Sequence, residues 1–289
     1  MNLRNSDKLI IQNLREEAEI SCMYTISLLF RNKINRPATH ILLEKLKKQF
    51  GSAKTVLDSE LSSYVLDKQC IAYNNEQRVS PQLIITECNL IKEPLGDNIA
   101  RTQFWDCPDA IELLDSCLWQ VIIGDFTEGS FSAVKRADIL FDWLEIALEL
   151  FPTCDAVYFH ASGKLLTAED VRNNPYSGPL RFIYGGMNAR LFNVYDGDDM
   201  IVDTLGLYAL GVPDVQYYFH TLDPNIIIQH AYDIIMYQFE NNTPIESGDI
   251  IEGIDQNSEW DCRYERSLIQ PSRTILDISA GNFAARIRE

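Results

Sequence analysis

Residues 21–30 read SCMYTISLLF and are followed, across a short basic and proline-containing bend, by ATHILLEKLKKQF at 38–50. The first run is short, apolar and rich in β-formers, as a strand buried on both faces requires. In the second, Ile41, Leu42, Leu46 and Phe50 recur at helical spacing until Gly51 stops the helix. Downstream, 64–73 and 82–91 are two β-rich runs joined by the polar segment NNEQRVSP, a hairpin loop by its Asn, Ser and Pro content. Residues 108–119 return to a helical pattern through Ile111, Leu114 and Leu118, and 120–126 make a short strand. The order β-α-β-β-α-β predicts a ferredoxin-like sandwich, with Cys22 to Phe126 as a four-stranded sheet and two helices on one face.

Working outward, residues 7–19 suit an amphipathic helix with Leu9, Ile10, Leu14 and Ala18 on one side. Beyond the sandwich, 132–151 carries the strongest helical pattern of the chain, with Ile139, Leu140, Trp143, Leu144 and Ala147 on a broad apolar face closed by Pro152. A strand at 155–160 follows, then a helix at 165–174 capped by Thr167 with Asp170 three residues on. The NNPYSGP run at 173–179 is a loop and marks a boundary. After it, 183–194 and 200–210 read as strands around an Asp-Gly hairpin signal at 196–197. A strand at 214–222 precedes a helix at 224–240 with proline in its first turn, and 245–278 alternates short β-like runs with polar loops. The fold class is therefore α+β: an amphipathic segment at 1–20, a ferredoxin-like α+β subdomain with an extra helix at 21–174, and a mixed α/β C-terminal subdomain at 180–289, the two halves forming one compact unit.

Charge restricts the partners. Among 289 residues, 25 Lys+Arg face 42 Asp+Glu, a formal net charge of -17. Such an excess repels a phosphate backbone and an anionic bilayer, which excludes general nucleic-acid and membrane binding and favours a basic protein partner. Apolar windows such as 120–123 are far shorter than the ~20 residues of a membrane span. Charges at Arg15, Glu16, Glu17 and Glu19 interrupt any signal-peptide core, so a cytoplasmic location is expected. The seven cysteines are odd in number and lack a Cys-x-x-Cys pair, and all are expected to be reduced thiols.

Phosphate-loop, dinucleotide, zincin and nucleophile-elbow motifs are all missing, so no catalytic residues, metal or cofactor are assigned. His160 with Ser162 is a weak base–nucleophile pairing, because residues i and i+2 share a strand face; the other reading is a turn histidine capping a backbone group. Asp196, Asp198 and Asp199 could suit a hard cation, yet they lack calcium-loop spacing and read better as a solvated hairpin tip. The more informative set is Asn188, Arg190, Asp203, Asp214, Gln216 and His220, polar groups among β-forming neighbours. Arg190 can meet Asp203 across adjacent strands, and Asp214 with Gln216 shares a strand face. One reading is a buried network that fixes register; the other is a polar pocket or a partner-contact patch. Arg190 and Asp203 are expected to be structural. Asp214 and Gln216, just past the Gly211-Val212-Pro213 turn, are expected to reach solvent.

The runs 188–193 (NARLFN), 203–207 (DTLGL) and 211–216 (GVPDVQ), a helix like 231–239, and the segment 244–253 (PIESGDIIEG) resemble a bacterial family catalogued as domain of unknown function 4261. The resemblance spans about Cys22 to Ile278. It implies an α+β fold in a bacterial cytoplasmic protein and brings no catalytic residues. Two functions are compatible with these features. One is a non-enzymatic interaction protein, of immunity or accessory type, whose acidic surface masks a basic partner such as a toxin. The alternative is an enzyme with a polar pocket in the C-terminal half.

Overall fold

The computed structural model describes residues 23–72, 78–127, 131–194, 197–255 and 257–285. The amphipathic helix expected at 7–19 lies outside them. By its contacts the chain divides into two compact units, Ser21–Gly186 and Met187–Glu289, where one was expected.

In the first unit, β1 (Met23–Phe30) pairs antiparallel with β8 (Trp119–Phe126) on one side and with β9 (Ala156–Phe159) on the other. Adding β2 (Lys54–Leu57), β3 (Leu61–Val65), β6 (Gln82–Thr86) and β10 (Lys164–Thr167) gives the order β10-β9-β1-β8-β6-β3-β2, every pair antiparallel. The short β7 (Asn89–Leu90) pairs with the end of β8, completing eight strands, and a separate two-stranded ladder joins β4 (Ile71–Ala72) to β5 (Arg78–Val79). This corrects the ferredoxin-like expectation. In that sandwich the first strand sits between the third and fourth; here β8 sits between β1 and β6. The cause is the connection from β6 to β8. Its helix α2 (Ala110–Ser116) has only 7 residues, and the connection lies against β1, β9 and β10 before turning back, so it does not act as a β-α-β crossover. A mostly loop connection instead returns β8 antiparallel beside β6.

One sheet face receives α1 (Thr39–Phe50), through Leu42, Leu46 and Phe50, and α3 (Ala133–Leu150). Ser132 caps α3 by accepting from the Lys135 N–H at 3.3 Å, and the indole N–H of Trp143 donates to the Ile84 carbonyl at 3.2 Å. Leu140, Trp143 and Leu144 are fully buried, so the helix lies flat on the sheet as its pattern requires. The opposite face is covered by 91–117, whose Leu95, Cys107, Ala110 and Leu113 pack on Leu29, Ala156, Tyr158 and Leu165. Several expected elements differ: the strands expected at 64–73 and 200–210 end at Val65 and Leu205 and give way to 3-10 turns. Residues 164–167 are strand β10 before α4 (Ala168–Arg172) begins, with Thr167 accepting from the Asp170 N–H at 3.0 Å. The strand expected from Ile183 is preceded by α5 (Arg181–Gly186), where a Cβ on Gly185 would come within 2.9 Å of the Phe141 ring. Glycine thus permits the close approach. Arg181 pins α5 to α3 by donating to Asp138, Asp142 and Glu145, one stripe of that helix.

The second unit is a six-stranded mixed sheet of β11 (Asn188–Asn193), β12 (Asp199–Leu205), β13 (Asp214–His220), β14 (Ile250–Glu252), β15 (Glu259–Arg266) and β16 (Thr274–Ser279). Its order is β11-β12-β13-β16-β15-β14, with β13 and β16 parallel. The hairpin of β11 and β12 forms with Asn193 opposite Met200, although Tyr195 and Asp196 of its tip lie outside the described residues. Helix α6 (Pro224–Glu240), capped by Asp223, buries Ile227, Ala231, Ile235 and Phe239. A loop, not a helix, lies on the other face: Leu268 and Ile269 pack against Ile201 and Tyr218. Among the described residues no helix is long and apolar enough to cross a membrane.

Candidate functional site

The loop-covered face of the second sheet carries a polar row. Arg190 on β11, Asp203 on β12, Gln216 on β13, Asp277 on β16 and Arg263 on β15 are register neighbours in turn. The pleat puts all five on one face. Arg190 donates to Asp203 through Nε at 2.8 Å and Nη2 at 2.6 Å, a bidentate charge-assisted pair. Arg273 enters from the covering loop and bridges two carboxylates, with Nε 2.9 Å from Asp214 and Nη2 2.9 Å from Asp203. Gln216 donates to Asp277 at 3.0 Å and accepts from the Leu268 N–H at 2.7 Å.

The physical reason for this network is the loop itself. A loop packed on a sheet face carries backbone groups that water reaches poorly. Arg190 donates to the Gln270 carbonyl at 2.9 Å, and Arg273 Nη1 donates to those of Ile269 at 3.2 Å and Pro271 at 2.9 Å. Burial pushes the Asp214 carboxyl above its usual range, while Arg273 and the Leu207 N–H pull it back. For Arg273 burial acts downward, but Asp214 and Asp203 outweigh it and raise the guanidinium.

Asn188, Arg190, Asp203, Asp214 and Gln216 therefore share one buried face, and none is more than 3% exposed. The expectation that Asp214 and Gln216 reach solvent is corrected: Arg273 and the Leu268 N–H of the 267–273 loop cover them. His220 stands apart at the end of β13, where Nδ1 is 3.2 Å from Thr221 Oγ1. The member missing from the sequence reading is Arg273. Its signal is a basic residue leading the β-forming run Thr274-Ile275-Leu276 in an acidic chain.

His160 does not meet Ser162. Ser162 is buried and accepts from the Lys164 N–H at 3.2 Å, whereas His160 Nε2 lies 2.7 Å from Ser27 Oγ. Burial lowers the His160 pKa. Burial also pushes thiols up, Cys107 and Cys117 to about 11 and Cys154 to about 12, which leaves them protonated and unreactive at neutral pH. The six described cysteines are free, and Cys22 lies outside the described residues. Among the described residues no three His, Cys, Asp or Glu side chains are grouped to hold a metal.

His230 gives a pH dependence. Its Nε2 is 3.0 Å from the Glu252 carbonyl, which can only accept, so Nε2 carries the proton and Nδ1 accepts from the Tyr217 hydroxyl at 2.8 Å. Burial holds its pKa below 6.5, against weaker upward pulls from the Glu252 carbonyl and Asp233. The unfolded chain then binds the proton first as pH falls. Stability from this group is present above about pH 6.5 and declines below it, with a slope of at most about 1.4 kcal/mol per pH unit. Urea unfolding between neutral pH and about pH 5 checks this: the decline should be shallower in His230→Gln, and an unchanged slope would reject it.

The chain is thus an α+β protein with two large sheets, one eight-stranded and antiparallel, one six-stranded and mixed. Residues 203–279, from Asp203 on β12 to the end of β16, match the family model described as domain of unknown function (DUF4261), and the chain carries that domain there. The match is narrower than the span of the resemblance. No curated protein and no solved structure matches the chain.

Proposed function

We propose that this is a non-enzymatic interaction protein, of immunity or accessory type in a bacterial cytoplasm, which binds a basic protein partner such as a toxin through its acidic surface. The observation that carries the reading is the pair Glu252 and Glu259, directly opposite each other on β14 and β15. Like charges in that position destabilise a sheet, and a cationic partner relieves the repulsion. Exposed Glu246, Asp249, Asp255 and Asp261 surround them, and 246–262 contains no Lys or Arg. Ile250, 59% exposed in their midst, offers an apolar anchor. The buried state of Asp203, Asp214 and Gln216 lends no support to turnover in the C-terminal half.

The test is the double variant Glu252→Gln/Glu259→Gln. Relief of repulsion should raise stability by roughly 0.2–1 kcal/mol. Capture of a basic protein from host extract should be salt-sensitive with the native protein and weakened about tenfold in the variant. A variant no more stable than the native protein, with capture unchanged, would overturn the reading.

A further inference from the structure

The first unit holds a pocket of about 550 Å³, lined among others by Asn89, Leu90, Lys92, Gln120, Tyr158 and His160. Its volume is that of a small-molecule site, for which roughly 300–1,000 Å³ is usual. The floor is the sheet face where β8, β1 and β9 meet, and the rim is the segment after β7. Beneath the floor, Ser27 Oγ lies 2.8 Å from Gln120 Oε1 and 2.7 Å from His160 Nε2.

The serine hydroxyl has one hydrogen and two partners, which couples the groups on either side of it. If Ser27 donates to Gln120, then His160 Nε2–H donates to Ser27; Nδ1 is left as an acceptor and the Gln120 NH₂ as a donor. If Ser27 donates to His160, Gln120 turns its NH₂ to the serine; its carbonyl becomes the free acceptor and Nδ1–H the free donor. Among the described residues Nδ1 has no protein hydrogen bond. Either way the pair offers one donor and one acceptor, suited to a ligand that carries both. Leu90 gives an apolar wall, while Asn89 and the Tyr158 hydroxyl add polar contacts. The Cβ that any other residue would place at Gly96 would come within 3.3 Å of that hydroxyl.

We propose that this pocket binds a small molecule bearing an amide or lactam group, of the kind found in a nucleobase or nucleoside, recognised by Gln120 and His160, which Ser27 couples from beneath. The net charge of -17 opposes a polyanion but not an uncharged heterocycle. The proposal is independent of the acidic β14–β15 surface.

The experiment is calorimetric titration of the whole protein with uridine, inosine, nicotinamide and glutamine, using ribose as a control without the amide. Binding of at least one amide or lactam probe in the micromolar to low millimolar range is expected, with none for ribose. Preference for uridine or inosine would identify a nucleoside, and preference for nicotinamide or glutamine a simple amide. Gln120→Met and His160→Phe should each weaken binding about tenfold or more while thermal melts stay cooperative. Ser27→Ala should weaken it less, because it removes the coupling but not the groups. No binding by any probe at millimolar concentration, or binding unaffected by Gln120→Met in a folded protein, would overturn the proposal.

Discussion

Asp203→Ala destabilises the Met187–Glu289 unit by about 3–5 kcal/mol, because it leaves two buried cations without their shared carboxylate. Asp203 is fully buried and accepts from Arg190 at 2.8 and 2.6 Å and from Arg273 at 2.9 Å. After its removal Arg190 keeps only the Gln270 carbonyl among these contacts, and Arg273 keeps Asp214. A loss of this size is a large part of the roughly 5–15 kcal/mol that holds a typical domain folded. Asp214→Ala should fall in the same range, since it strips Arg273 of its other carboxylate. Replacing Arg190 and Asp203 together by Met and Leu should recover much of the loss, as apolar pairs of similar volume often do. Urea unfolding followed by hydrogen exchange within 187–289 is the measurement. A cost below about 1 kcal/mol for Asp203→Ala would show that the network is not what holds the covering loop.

The sequence is legible here where one local period dominates. Helix α3 declares itself because its apolar residues recur on one face over five turns, and α6 because Asp223 and Pro224 form a cap and first turn. Pairing is another matter. Nothing in Trp119–Phe126 itself states whether β8 lies beside β1, β6 or both; that depends on how the whole connection from β6, with only 7 residues in α2, turns the chain back. Strand β10 was hidden because Leu165 and Leu166 fit a short helix as well as a buried strand. The polar row was visible as Arg190, Asp203, Asp214 and Gln216 among apolar neighbours. Its burial was not, since that depends on a loop some sixty residues downstream. Ser27 leaves one faint signal, a lone hydroxyl inside the apolar run Ile26 to Phe30.

The second large effect belongs to the other unit, where Leu140→Asp is expected to unfold α3 from its sheet. Leu140 is fully buried on that helix, between the equally buried Ile139 and Phe141 and one turn from Leu144. The change removes an apolar side chain whose burial contributes roughly 1.5–3 kcal/mol and leaves a carboxylate without a designed partner. Together these terms reach about 5 kcal/mol or more, enough to depopulate the fold of the Ser21–Gly186 unit. Leu140→Ala separates the contributions: it makes a cavity without a charge and should cost about 2–5 kcal/mol. pH then isolates the charge. A buried Asp has a folded pKa above its unfolded value of about 3.9, so its penalty is small below that value and grows as pH rises towards the folded pKa. The gap between Leu140→Asp and Leu140→Ala should therefore narrow on acidification, even while the native protein loses stability as His230 titrates. Urea midpoints of the two variants at about pH 4 and about pH 7 provide the comparison. A gap independent of pH would mean that the carboxylate has escaped to solvent and that α3 does not press Leu140 onto the sheet.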